Sequence, residues 1–199
     1  MSNNDDHNRF VAKLLSSAIS GLNDFEGFDV FEYGNDDGPE KVDIYIAKGF
    51  PYSDLATIAT IDLACEELFI DSEVQYYGVN LCAATEGNIN DMCSILSTCA
   101  FFIMKDKWEI YPGSIFPNVI ENYDPSLKVK HVLFLSPFCW EGKLSSFFYR
   151  ERKEIFLQAV PITQAELDFA IEHGTDILEE KLLSQAKSIF SLGRNSVIL

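Results

Sequence analysis

Two alternating runs that flank a turn commit this chain to a β-sheet. FDVFEYG and VDIYIAK are separated by Asn35-Asp36-Asp37-Gly38-Pro39. Both runs alternate and are rich in aromatic and β-branched residues, while the separator holds the residue types that build tight turns. The pattern predicts a hairpin with strands near 27–33 and 41–48. A two-stranded hairpin is marginal in water, so other elements must cover it.

The remaining sequence offers those elements. Asn8 precedes Phe10, Leu14, Leu15, Ile19 and Leu22 at helical spacing, which predicts a helix over 9–20 capped by Asn8 and stopped by Gly21. His7 then falls in a loose start. Gly49-Phe50-Pro51-Tyr52 interrupts the strand pattern; Thr57–Ile61 reads as a third strand and Val74–Leu81 as a fourth. Ile89, Met92, Cys93, Leu96 and Ala100 form one apolar stripe behind Asn88 or Asn90, which predicts a helix over 89–104. Residues 108–128 carry Pro112, Pro117 and Pro125 and read as a long irregular crossing loop.

Val129–Leu135 and Glu154–Val160 read as buried strands, the second ended by Pro161, with an aromatic-rich loop or ribbon over Ser136–Arg152 between them. Thr163-x-x-Glu166 fits a capping box that opens a helix stopped by Gly174. Thr175 then caps a second helix with Ile177, Leu178, Leu182, Leu183, Ala186 and Phe190 on its apolar face. Hydrophobic residues make up 47% of the 199, enough for a sizeable core. The expected fold is α+β: a single domain over 1–199, its core about 25–190, with a mainly antiparallel (mixed) sheet and helices packed on it.

Charge narrows the function. Asp and Glu number 31 against 15 Lys and Arg, a formal net charge of −16. Phosphate binding needs a positive footprint, so nucleic acid and anionic membrane surfaces are not expected partners. The charge is also uneven. Residues 1–104 hold 18 acids against 4 bases, and no base occurs between Lys48 and Lys105. That interval contains Asp54, Asp62, Glu66, Glu67, Asp71, Glu73, Glu86 and Asp91. Such a distribution is either an ordinary solvated surface or a face that steers a basic protein into contact. The start, MSNNDDHNRF, lacks a positive region and does not read as a secretory signal. No apolar run reaches the length of about 18 residues that a spanning helix needs. A cytoplasmic location is expected.

Signatures of catalysis are weak. Cys65, Cys82, Cys93, Cys99 and Cys139 include no CxxC pair and read as reduced, buried thiols. His7, His131 and His173 have no ligand-spaced neighbours, and a Cys139–His131 nucleophile pair has no local context. GxSxG, HExxH, Walker A and GxGxxG are all absent. Adjacent acids such as Asp36/Asp37 arise by chance in so acidic a chain, and Asn35–Gly38 reads as a turn rather than a calcium loop. No catalytic, cofactor-binding or metal-binding residue is assigned. Phe138-Cys139-Trp140 and Phe147-Phe148-Tyr149-Arg150 fit a core strand with a charged edge, with a protein-binding hot spot as the alternative.

The segment Val160-Pro161-Ile162-Thr163-x-x-Glu166-x-x-Phe169-x-x-x-His173-Gly174-x-x-x-Leu178 resembles the end of suppressor of fused-like domains. The order of the upstream features, from Val42-Asp43-Ile44-Tyr45 through the helix at 89–104 to Val129–Pro137, is similar to that family over most of 25–190. The resemblance implies a binding protein and not an enzyme, with no cofactor. Animal members sequester a transcription factor; short bacterial members look like immunity proteins that neutralise a toxin domain, often a nuclease. A short, acidic chain is similar to the bacterial kind.

The expectation is therefore an immunity protein or antitoxin that binds a cognate, basic protein toxin through an acidic surface. Asp54, Asp62, Glu66, Glu67, Asp71 and Glu73 would make electrostatic contacts, and Tyr76 and Tyr77 are candidate hot spots. The alternative is a regulatory module that sequesters a partner such as a transcription factor.

Overall fold

A computed structural model describes residues 3–19, 27–65, 69–70, 73–74, 77–144, 146–185 and 189–198. Helix α1 (Asn3–Ile19) leads toward the predicted hairpin, in which β1 (Asp29–Gly34) lies antiparallel to β2 (Lys41–Lys48). Val30 faces Tyr45 and Tyr33 faces Val42 across the pair. The turn is tied by the Asn35 N–H, which donates to the Glu40 carbonyl at 2.9 Å, and by the Asp37 N–H, which donates to Asn35 Oδ1 at 3.2 Å. An asparagine that accepts two residues downstream is the reason Asn suits such a turn.

Strand β3 (Ala56–Thr60) follows, then a separate ribbon of β4 (Phe69–Ile70) and β5 (Glu73–Val74), then β6 (Tyr77–Thr85) and helix α2 (Ile89–Met104). The second half contributes β7 (Ile115–Phe116), β8 (Val129–Leu135), β9 (Ser146–Tyr149) and β10 (Arg152–Thr163). Helices α3 (Gln164–His173) and α4 (Thr175–Leu183) follow. The main sheet runs β1-β2-β3-β6-β10-β8-β7, with β9 paired to the start of β10. Every pairing is antiparallel except β6 with β10, which are joined through α2 and the crossing segment. A parallel pair needs such a long connection, and it makes the sheet mixed. The fold is a single α+β domain, as expected.

Both faces of the sheet are covered. One core holds Val11 and Leu15 of α1, Leu178 and Leu182 of α4, and Tyr45, Leu133 and Phe156 from the sheet. The opposite core holds Met92, Leu96 and Cys99 of α2, Ile120 of the crossing segment, and Ile44, Leu81 and Phe134 from the sheet. Alternation along β10 sends Phe156 and Val160 to the first core and Leu157 and Ala159 to the second. A strand covered on both faces has no polar-out signature: β3 is buried throughout, and its two threonine hydroxyls are hydrogen-bonded inside. Trp140 is fully buried in the first core and donates from Nε1 to Thr57 Oγ1 at 3.0 Å, which satisfies its one donor.

Five expectations are corrected. Helix α1 begins at Asn3 rather than near residue 9. Within it His7 is buried instead of loose, its Nε2 lying 2.9 and 3.0 Å from the two carboxylate oxygens of Glu154. The fourth strand runs to Thr85, because Cys82–Thr85 pair with β3 in the middle of the sheet. Pro161 does not end β10, which continues to Thr163. A residue's N–H and carbonyl point to the same side of a strand. The Pro161 carbonyl accepts from Arg194 Nη2 at 2.6 Å, so the missing N–H falls on the side away from the β8 ladder and costs no sheet bond. Last, α4 is entered through Gly174, at φ 98°, with no side-chain cap from Thr175.

The capping box forms as the spacing predicts. Thr163 Oγ1 accepts from the Glu166 N–H at 3.3 Å, and Glu166 Oε2 accepts from the Thr163 N–H at 2.7 Å. Cys82, Cys93, Cys99 and Cys139 are free and buried; the Cys65 side chain lies outside the described residues. Among the described residues no helix is long and apolar enough to cross a membrane.

Candidate protein-binding site

Of the eight residues expected from charge and aromaticity, the side chains of Asp54, Asp62 and Tyr77 are among those described. Glu66, Glu67, Asp71 and Tyr76 lie outside the described residues, as does the side chain of Glu73. Asp54 is exposed in the turn before β3. Asp62 is half-buried, and both its carboxylate oxygens accept from the Asp43 N–H, at 3.1 and 3.2 Å. Burial pushes the Asp62 carboxyl up to about 7, with the neighbouring Asp43 charge adding to the rise and the Asp43 N–H opposing it. Asp62 ties the chain leaving β3 to the start of β2. Tyr77 is half-buried at the start of β6 and packs on the α2 side of the sheet.

The tertiary fold instead builds a groove that sequence reasoning passed over. The β1–β2 turn stands beside the outward face of α2 and encloses about 450 Å³. Its charged lining is Asp36, Asp37 and Asp106, with Lys105 as the base. Its rings are Tyr33, Phe101, Phe102 and Tyr123. Ser94 and Thr98 line it one helical turn apart, and the Tyr123 hydroxyl donates to the Ser94 carbonyl at 2.9 Å and meets the Thr98 hydroxyl. Burial pushes the Tyr123 phenol up, and the Asp36 charge adds to the shift. Burial likewise pushes the Tyr33 phenol up to about 12 beside Cys93. The Asp36/Asp37 pair carried the signal, but a dipeptide of acids in so acidic a chain points nowhere until α2 is placed against it.

A second groove, of about 390 Å³, separates α1 from β1 and is lined by Asn8, Phe28, Val30 and Asp43 among others. Asn8 Nδ2 donates to Asp43 Oδ2 at 2.9 Å across it, so this groove is partly bridged by the fold itself.

Among the described residues, His131 and Cys139 are held by hydrogen bonds within the fold. His131 accepts from the Asn118 N–H at Nδ1 (2.9 Å) and meets Gln164 Oε1 through Nε2 at 3.1 Å, and burial holds its pKa below the ordinary value. Cys139 accepts from Gln158 Nε2 at 2.9 Å, and burial pushes its thiol up to about 12. The two residues face different partners and form no pair. His173 sits 3.7 Å from a Glu172 carboxylate oxygen, with its ring tilted against that of Phe169. Among the described residues no group of three His, Cys, Asp or Glu could hold a metal ion. The aromatic segment divides: Trp140 is core and Phe147 half-buried, whereas Phe148 is 65% exposed and Arg150 stands 5.2 Å from the Tyr149 ring centroid.

The described geometry is that of a protein with recessed acidic and aromatic surfaces. The family model for Suppressor of fused protein matches residues 38–195. The chain belongs to the suppressor of fused family. It is 30% identical over 191 residues to the immunity protein YqcF of Bacillus subtilis (strain 168), covering 96% of this chain and 97% of that protein. Among solved structures, a suppressor of fused homologue from Neisseria gonorrhoeae FA 1090 matches with a TM-score of 0.74 at 16% identity, over 98% of both chains. A chain of the Sufu–Fu complex matches with a TM-score of 0.67 at 10% identity, over 96% of this chain and 92% of that one. At those identities the solved structures establish the fold.

Proposed function

We propose that this chain is an immunity protein that binds and neutralises a cognate protein toxin in the cytoplasm, acting by binding and not by catalysis. The observation that carries the reading is the 30% identity, over nearly the full length of both chains, to a protein named for immunity. The toxin is basic, in keeping with a nuclease whose site holds phosphate, and the acidic surface of this chain occupies that site or its approach. The formal charge of −16, and 18 acids against 4 bases in residues 1–104, supply the complementary field. Exposed Asp36, Asp37, Asp54, Asp91 and Asp106 are available for such contact. Buried thiols with raised pKa values and a histidine whose pKa burial lowers favour binding over chemistry.

The test is a pull-down of the product of the adjacent gene, at about 50 mM and about 500 mM salt, since screening shortens as salt rises. Capture that weakens at high salt, together with rescue of cells that express that product, supports the reading. Absence of capture at both salts overturns it and leaves the regulatory module that sequesters another partner.

A further inference from the structure

We propose that the groove between the β1–β2 turn and α2 receives an arginine side chain of the protein partner. This rests on the binding function proposed above and names the place and the chemistry by which it operates.

Three observations converge on a planar cation. First, the carboxylates of Asp36, Asp37 and Asp106 line the groove, and none of them is in an ion pair among the described residues. Elsewhere on the surface exposed acids do find bases, as in Lys41–Glu32 at 2.6 Å and Lys130–Glu121 at 3.4 Å. Second, the rings of Tyr33, Phe101 and Tyr123 share the same lining. A guanidinium is planar and weakly hydrated; it lies against a ring while its fork of N–H groups donates to carboxylates. An ammonium is a compact, strongly hydrated charge and uses the carboxylates without the ring faces. Third, the protein already puts one of its own cations there: Lys105, at the C-cap of α2, lies with Nζ 3.5 Å from the Asp37 carbonyl oxygen. That single base lines the groove against three acids. The groove is therefore built for positive charge and is left with an excess of negative charge.

The probe is a blocked pentapeptide with one central arginine flanked by glycines, titrated into the isotopically labelled full chain and followed by amide NMR shifts. Saturable shifts confined to Asp36, Ser94, Thr98, Lys105 and their neighbours are expected. The same peptide with citrulline, which keeps the shape and loses the charge, is expected to leave them unmoved. The double variant Asp36→Asn, Asp37→Asn keeps a turn-forming side chain at both exposed positions and should weaken binding by about fivefold or more, the scale of one or two exposed charge pairs. Lys105→Gln should strengthen it by about twofold to fivefold, since it removes the competing cation. Shifts spread over other acidic regions, equal binding of the citrulline peptide, or affinity unchanged in D36N/D37N overturns the proposal.

The two readings fail separately. Peptide binding in the groove with no capture of the adjacent gene product overturns the immunity function and leaves the groove. Capture that D36N/D37N does not weaken overturns the groove as the contact and leaves the function.

Discussion

Arg194 and Glu166 form a buried two-point pair: Nη1 donates to Oε1 at 2.6 Å and Nη2 to Oε2 at 2.7 Å. The same carboxylate accepts from the N–H groups of Thr163 at 2.7 Å and Val197 at 2.8 Å. One glutamate thus opens α3, anchors the chain's last residues, and fixes the arginine that meets the Pro161 carbonyl. Burial alone would raise its pKa, but the Arg194 bonds and charge and the two backbone donors outweigh it, and the carboxyl lies below its ordinary value. Removing one partner strands a buried charge, so Arg194→Ala or Glu166→Ala should each cost about 3–5 kcal/mol. The double variant should cost less than the sum of the two. Because the folded pKa is depressed, the stabilisation is present above the ordinary glutamate range and is lost as the pH falls through the folded value. Urea denaturation of wild type and E166Q should show their difference shrinking on acidification.

Asp62 behaves in the opposite sense. Its folded carboxyl titrates near 7, well above the unfolded value, so the folded state holds the proton more tightly. That contribution is complete below the unfolded pKa and is lost as the pH rises toward about 7. Asp62→Asn, which keeps one acceptor for the Asp43 N–H, should flatten this slope. It should also make the protein more stable than wild type at pH 8 by about 1 kcal/mol, after allowance for partial exposure. Equal stabilities at pH 5 and pH 8 for wild type would contradict the assignment.

The His7–Glu154 contact joins the N-terminal helix to the start of β10, 147 residues away in the chain. Glu154 is as deeply buried as His7. His7→Ala should cost roughly 3 kcal/mol, because it leaves a buried carboxylate short of a partner. The loss should be local as well as global. Native-state hydrogen exchange should show faster amides across α1 while those of α2 keep their relative protection; uniform acceleration of both would mean that α1 is not a separable unit.

Thiol reactivity offers a direct check on the interior. Burial pushes Cys93 up to about 11 and Cys139 up to about 12, and it raises Cys82 and Cys99 as well. Thiols of that kind are protonated and inaccessible at neutral pH. A disulfide-exchange reagent at pH 8 should therefore modify at most one of the five cysteines in native protein, and all five after denaturation. Rapid reaction of two or more native thiols would show that a core face opens.

Much of the local structure was legible because its causes are local. Helix α2 has the predicted bounds, Ile89–Met104, since its apolar stripe and its length are both properties of adjacent residues. The hairpin followed from alternation and a turn cluster, and the capping box from a spacing of three. What was missed depends on distant partners. Asn3–Asn8 carry no apolar periodicity, and they are helical where His7 meets a glutamate from the other end of the chain. Pro161 signals a strand end until Arg194 arrives to use its outer edge. Asp62 belongs to an acidic run in the sequence, whereas in the fold it accepts from the Asp43 backbone N–H.

By itself the sequence determined the class of fold, the identity of most elements and the acidic character of the surface, because periodicity, turn chemistry and charge are written residue by residue. Only the tertiary structure decided which acids share a groove. Asp36 and Asp37 on a hairpin turn meet Asp106 and Lys105 beyond the end of a helix because α2 packs across β2, β3 and β6 and brings its end to the β1–β2 turn. That order is set by burial of both sheet faces at once, a condition on the whole chain that no segment expresses alone.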